Sequence, residues 1–135
     1  MRDVRDWLFL EDHVRALVLA CDRGVPGATY NVGGQNERRN IDVVRQVCAL
    51  VDELRPSSHG PRERLISFVT DRPGHDQRYA IDASRIRQDL DWRPLESFET
   101  GLRRTVAWYL AHAEWTERVL SGAYRLERLG AAVAS

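Results

Sequence analysis

Apolar residues recur at two periods along this chain, and each change of period marks an element. Residues 6–10 are short, apolar and aromatic, and read as a strand end. From Glu11 the period becomes helical: Val14, Leu17, Val18 and Cys21 share one face of a helix predicted over 11–22. Gly24, Pro26 and Gly27 break it. Residues 28–32 read as a strand ended by Gly33 and Gly34, and 35–39 as a polar loop. Asn40 is the predicted cap of a helix whose stripe is Ile41, Val44, Cys48 and Val51, extended by Val47 and Leu54. A loop over 56–64 leads to a short strand over 65–69, a turn-rich loop over 70–77 and an extended stretch over 78–81. Ile86 and Leu90 mark a short helix over 84–90. Ser97 is the predicted cap of a long helix ending near His112, which carries Phe98, Leu102, Thr105, Val106 and Tyr109 on one face. Residues 115–120 form one more helical piece, and 125–135 a tail. Alternating strands and helices define an α/β class. The strands are few and short for a free-standing parallel sheet, which needs cover on both faces.

Composition narrows the chemistry. The 135 residues suffice for one domain with a real core. Its 20 basic and 20 acidic residues cancel, which argues against a nucleic-acid binder working by bulk charge. No apolar run is long enough for a membrane span, and the charged first residues do not read as a signal peptide. Every basic residue is Arg. The absence of Lys excludes a Walker phosphate loop, a Schiff-base centre and a Tyr-x-x-x-Lys dehydrogenase centre. Cys21 and Cys48 are not paired as C-x-x-C and are expected to be buried, reduced thiols in a cytoplasmic protein. His13, His59, His75 and His112 lack metal-ligand spacing, so no zinc site is expected.

Three segments could hold a ligand. Asp71, Arg72, Pro73, Gly74 and His75, with Asp76, form a loop after an apolar strand, a usual place for a binding loop. Arg72 offers a planar fork for phosphate, Pro73 stiffens the turn, Gly74 permits close backbone approach, and His75 can donate to an oxyanion. The same residues could equally form a tight turn with an Arg72 surface ion pair. Arg5 before Trp7 is either a phosphate contact or an edge-strand charge. Gly33 and Gly34 lead toward a helix start and could cradle an anion or simply end a strand, and no G-x-G-x-x-G is present. Trp7, Trp92, Trp108 and Trp115 read as packing rather than base-stacking residues. Tyr124 either closes over a ligand or pins the tail. No Ser-His-Asp set, carboxylate pair or metal motif stands out.

The segments Arg5–His13, Tyr30–Glu37, Asp71–Asp82, Gly101–Leu110 and Ser121–Tyr124 together resemble the dTDP-glucose 4,6-dehydratases of the extended short-chain dehydrogenase family. The resemblance runs in order to about Tyr124. The combination of Asn-Glu-Arg-Arg-Asn with Asp-Arg-Pro-Gly-His-Asp is its narrowest part; Gln35 and Phe9 stand where the family often has His and Tyr. It implies the C-terminal part of that fold, with short strands and about four to five helices. The N-terminal NAD-binding Rossmann core would be lacking, and 11–32 would complete it. The family converts dTDP-glucose to dTDP-4-keto-6-deoxyglucose, on the route to dTDP-rhamnose, with bound NAD. Its Gly-rich loop, Tyr-x-x-x-Lys pair and Asp-Glu pair would precede Met1.

The resemblance therefore implies no catalytic residue, metal or cofactor for this chain alone, and an inactive dTDP-sugar-binding portion. Arg5 and Arg72 would hold phosphates, Asn40 would lie near the nucleotide, and Asp71, Pro73, Gly74, His75 and Tyr124 would complete the wall. Expected partners are dTDP or a dTDP-sugar and a separately encoded NAD-binding half, with neither nucleic acid nor membrane. A related epimerase or decarboxylase and a non-catalytic interaction subunit are the alternatives. Without the missing core, exposed apolar surface and self-association are expected.

Overall fold

The computed structural model describes residues 3–70 and 74–121. Strand β1 (Val4–Asp6) precedes helix α1 (Leu10–Arg23), and strand β2 (Glu37–Arg39) runs directly into α2 (Asn40–Leu54). A 3-10 turn (Arg62–Leu65), α3 (Ser84–Leu90), α4 (Phe98–Ala111) and α5 (Ala113–Ser121) follow. β1 and β2 pair antiparallel, with Arg5 opposite Arg38. The other edge of β1 is taken by residues 77–79. The Val4 N–H donates to the Gln77 carbonyl at 2.8 Å, and the Tyr79 N–H to the Val4 carbonyl at 3.1 Å. Val4 and Arg78 thus form a parallel bridge, and β1 sits between two segments far from it in sequence.

The core lies between α1 and α3. Ala16, Ala83, Ile86, Leu90 and Trp92 are buried together, with Leu8, Leu19, Ala20, Tyr30 and Val32 packed around them. A buried carboxylate ties this core to the approach of α4. Asp12 on α1 is 2% exposed. It accepts from the Leu95 N–H at 2.9 Å, the Glu96 N–H at 3.0 Å and Arg15 Nη1 at 2.5 Å. Its own carbonyl accepts from Trp92 Nε1 at 3.2 Å. Ionised side chains are tolerated inside only when bonded in this way. α4 then starts as expected, with Ser97 Oγ accepting from the Thr100 N–H at 3.1 Å. Gly101 brings α4 against Phe9: a Cβ there would lie 3.0 Å from the Phe9 Cβ.

All five helices fall where the periodicity places them, but two bury a different edge. The predicted α1 stripe faces outward, with Val14, Leu17 and Val18 at 50%, 53% and 54% exposed. α1 buries its Asp12–Ala16 edge instead. Cys21 follows that stripe and is exposed, against the expectation of a buried thiol; Cys48 is intermediate, and both are free. On α2 the buried residue is Val43, while Val44 of the predicted stripe is exposed. Asn40 is the first helical residue rather than the cap. Arg39 precedes the helix in extended conformation without a capping bond, and the Asn40 N–H is taken by the Asp3 carbonyl at 2.9 Å.

The strands depart further from expectation. Residues 28–32 and 65–69 form no ladder, whereas 37–39, read as a polar loop, is β2. An edge pairing uses only backbone groups, so the charged, exposed side chains of β2 do not oppose it. Of the tryptophans, Trp92 is buried. Trp108, Tyr109 and Trp115 pack edge-to-face on one another at α4–α5, their centroids 5.2–6.2 Å apart. No helix among the described residues is long and apolar enough to cross a membrane.

Candidate functional site

The pairing around β1 decides which candidate residues meet. Because residues 77–79 lie along its free edge, the end of the 70–77 loop arrives at Arg5. Arg5 Nη2 donates to His75 Nε2 at 2.7 Å, across 70 positions of sequence, and to the Asp76 carbonyl at 2.9 Å. Arg5 Nη1 donates to the Val4 carbonyl at 2.8 Å, and the guanidinium lies 4.6 Å over the Tyr79 ring. The Tyr79 hydroxyl donates in turn to the Asp76 carboxylate. A guanidinium has only donors, so His75 Nε2 is the acceptor in this contact. Among the described residues none of the acceptors of Arg5 is a carboxylate. Arg5 forms no ion pair among the described residues.

Gly74, at φ +70°, has the left-handed backbone that glycine tolerates, and the space beside it is open. Asp71, Arg72, Pro73 and Tyr124 lie outside the described residues. Asn40 stands where β2 meets α2, one position beyond the Val4–Arg39 rung, and its Oδ1 is buried without a donor. Buried acceptors are rarely left so, and a donor brought to this position would satisfy it.

Gly33 and Gly34 do not form an open phosphate cradle. The Asp6 carboxylate accepts from the Asn36 N–H at 2.7 Å and the Gln35 N–H at 3.3 Å. Gly33 packs so closely that a Cβ would meet Asp6 Oδ2 at 2.6 Å and Ile81 Cβ at 2.8 Å. The backbone donors of this loop thus face an internal anion, and the loop locks β1 to the region before β2. Sequence reasoning placed Asp6 in a motif without a role, and Tyr79 likewise; their partners are distant in sequence. No three His, Cys, Asp or Glu side chains converge as a metal site among the described residues.

Several acids are held ionised by their neighbours. Asp82 accepts from the Ser84 N–H at 2.9 Å, and that backbone bond leads in holding its carboxyl below the usual range. Thr100 and then Arg104 do the same for Glu96, Arg62 for Asp52, Arg103 for Glu53 and Arg39 for Asp42. None of these acids has a raised pKa of the kind a general acid needs.

The strand edge that gathers Arg5 and His75 beside the Gly74 turn lies within a small α/β framework. The chain belongs to the GDP-mannose 4,6 dehydratase family, whose model matches residues 1–105. It is 58% identical over 130 residues to a dTDP-glucose 4,6-dehydratase of Neisseria meningitidis, covering 94% of this chain and 37% of that protein. An Escherichia coli dTDP-glucose 4,6-dehydratase is 57% identical over 130 residues, with 94% of this chain and 36% of that protein covered. The chain therefore spans little more than a third of the length of these relatives.

Solved structures agree. The Bacillus anthracis dTDP-glucose 4,6-dehydratase in complex with NAD superposes with a TM-score of 0.72 at 42% identity, over 84% of this chain and 33% of that one. The Streptomyces venezuelae enzyme, solved with NAD and a second ligand bound, gives a TM-score of 0.71 at 36% identity and the same coverages. The fold is thus part of an extended short-chain dehydrogenase, as the sequence led one to expect.

Proposed function

We propose that this chain is the C-terminal, dTDP-sugar-binding part of a dTDP-glucose 4,6-dehydratase acting in the cytoplasm. The observation that carries this reading is Arg5: a half-buried guanidinium, aimed by His75 and Tyr79, with no carboxylate partner among the described residues. Arg5 would hold a phosphate oxygen of the nucleotide, with Arg72 beside it from the same loop as His75. Asn40 would bring its unpaired acceptor to the nucleotide side, and Asp71, Pro73, Gly74 and Tyr124 would complete the wall. Fixing the diphosphate in this way positions the sugar for chemistry carried out elsewhere.

The residues present do not fit an NAD site. The one glycine loop that leads toward a helix has its N–H groups on Asp6, and the chain has no Lys. NAD is bound in the solved relatives of Bacillus anthracis and Streptomyces venezuelae. The chain alone is inactive in this reading. A separately encoded NAD-binding half would complete it, covering the outward face of α1 and using residues 28–32 as a strand. The exposure of Leu10, Val14, Leu17 and Val18 supports that role for 11–32.

Calorimetric titration of the chain with dTDP tests the binding claim. Saturable binding is expected, weakened roughly ten-fold or more in Arg5→Ala, as the loss of one charge-assisted hydrogen bond requires. Tighter binding of GDP or UDP would favour a related epimerase or decarboxylase instead. Absence of any nucleotide binding by a folded chain would overturn the reading.

A further inference from the structure

A groove of about 420 Å³ opens between the loop Gly34, Gln35 and Asn36 and the segment carrying Arg93, Pro94 and Glu96, with Arg87 of α3 also in its wall. Among the described residues none of the groups that contact Arg5 lines it.

Its charge balance is one-sided. Among the described residues Glu96 is the only acid in the wall, and its Oε1 is taken by Arg104 at 2.6 Å. Asp82, the acid that feels the charge of Arg87, accepts the Ser84 N–H. The side chains of Arg87 and Arg93 form neither a hydrogen bond nor an ion pair among the described residues. Moreover, Arg87 Nε is buried without an acceptor. A guanidinium N–H removed from water and left unpaired is unfavourable, and its geometry matches a planar or tetrahedral oxyanion better than any neutral acceptor.

We propose that this groove is a second oxyanion site, in which a small phosphate or carboxylate group binds between Arg87 and Arg93, with the Gln35 side-chain amide as a further donor. Two guanidinium forks around one groove attract such a group by charge and orient it by paired N–H donors.

The test follows the Arg87 Nε–H resonance of the intact chain in two-dimensional NMR while inorganic phosphate is added at constant ionic strength, with acetate in a parallel titration. Saturable movement of Arg87 with either anion is expected. Phosphate alone assigns a phosphate site, and both anions assign a general oxyanion site. Arg93→Gln, at an exposed position, should weaken the midpoint roughly ten-fold. Arg87→Gln should do the same with the Gln35 amide as reporter. A linear, unsaturated shift would overturn the proposal. So would an unchanged midpoint in Arg93→Gln, or saturation seen at Arg5 alone.

Discussion

Replacing Asp12 by alanine strips three partners from one buried carboxylate. The Leu95 and Glu96 N–H groups lose their acceptor, and Arg15 loses its ion pair. Each partly buried N–H left unpaired costs about 1–3 kcal/mol. The Arg15 side chain is 42% exposed, so water replaces most of what that pair gave, and it adds at most about 1 kcal/mol. Taking the lower half of these ranges, Asp12→Ala destabilises by about 3 kcal/mol. An unfolding entropy of about 2.1 cal/mol/K per residue converts this to a fall in Tm of about 10 °C for a chain of this length. Asp12→Asn keeps one acceptor oxygen and should lose roughly half as much. Thermal melts followed by far-UV circular dichroism give both numbers. A fall of less than about 3 °C in the alanine variant would refute the reasoning, because the segment before α4 would then be held by something other than Asp12.

Three further outcomes are expected. Ser97→Ala removes the acceptor for the Thr100 N–H and should lower stability by about 1 kcal/mol, measured by urea denaturation with an unchanged slope. Asp42, Asp52, Glu53, Asp82 and Glu96 all have carboxyl pKa values lowered in the folded chain. Their contribution is thus present above the unfolded carboxylate range and lost as pH falls through the folded values. Urea midpoints should be level near neutrality and drop below about pH 4; a midpoint that rose on acidification would contradict these assignments. Leu17→Glu on the outward face of α1 should reduce self-association in sedimentation while leaving Tm within about 3 °C, whereas a collapse in Tm would show that face to be part of the core.

What the sequence made legible follows from what is local. Helix positions were readable because the apolar period and the Ser97 cap act within a few residues. The direction each helix faces was not, because that depends on partners. The Val14–Leu17–Val18 stripe of α1 is the strongest apolar signal in its segment, yet it points outward, and the edge bearing Asp12 and Ala16 turns in. A buried carboxylate looks like a surface residue until the N–H groups that bind it, more than eighty positions away, are in view. Residues 28–32 have strand composition but no ladder, while the charged 37–39 segment pairs through its backbone alone. Arg5 and His75 were each named as candidates from their neighbours. Their contact across β1 needed the parallel bridge at Arg78, which carries no sequence signature. The glycines at 33 and 34 were readable as an anion cradle or a strand end, but not that the Asp6 carboxylate takes the N–H groups of the loop they open.

Under the proposed function this chain binds the nucleotide sugar and carries none of the chemistry. The most direct test is turnover of dTDP-glucose by the purified chain supplied with NAD, under conditions where dTDP binding has been measured. The account predicts no formation of the 4-keto sugar. Product formed by the chain alone, and lost in Arg5→Ala, would contradict it and place the hydride and proton chemistry among these 135 residues.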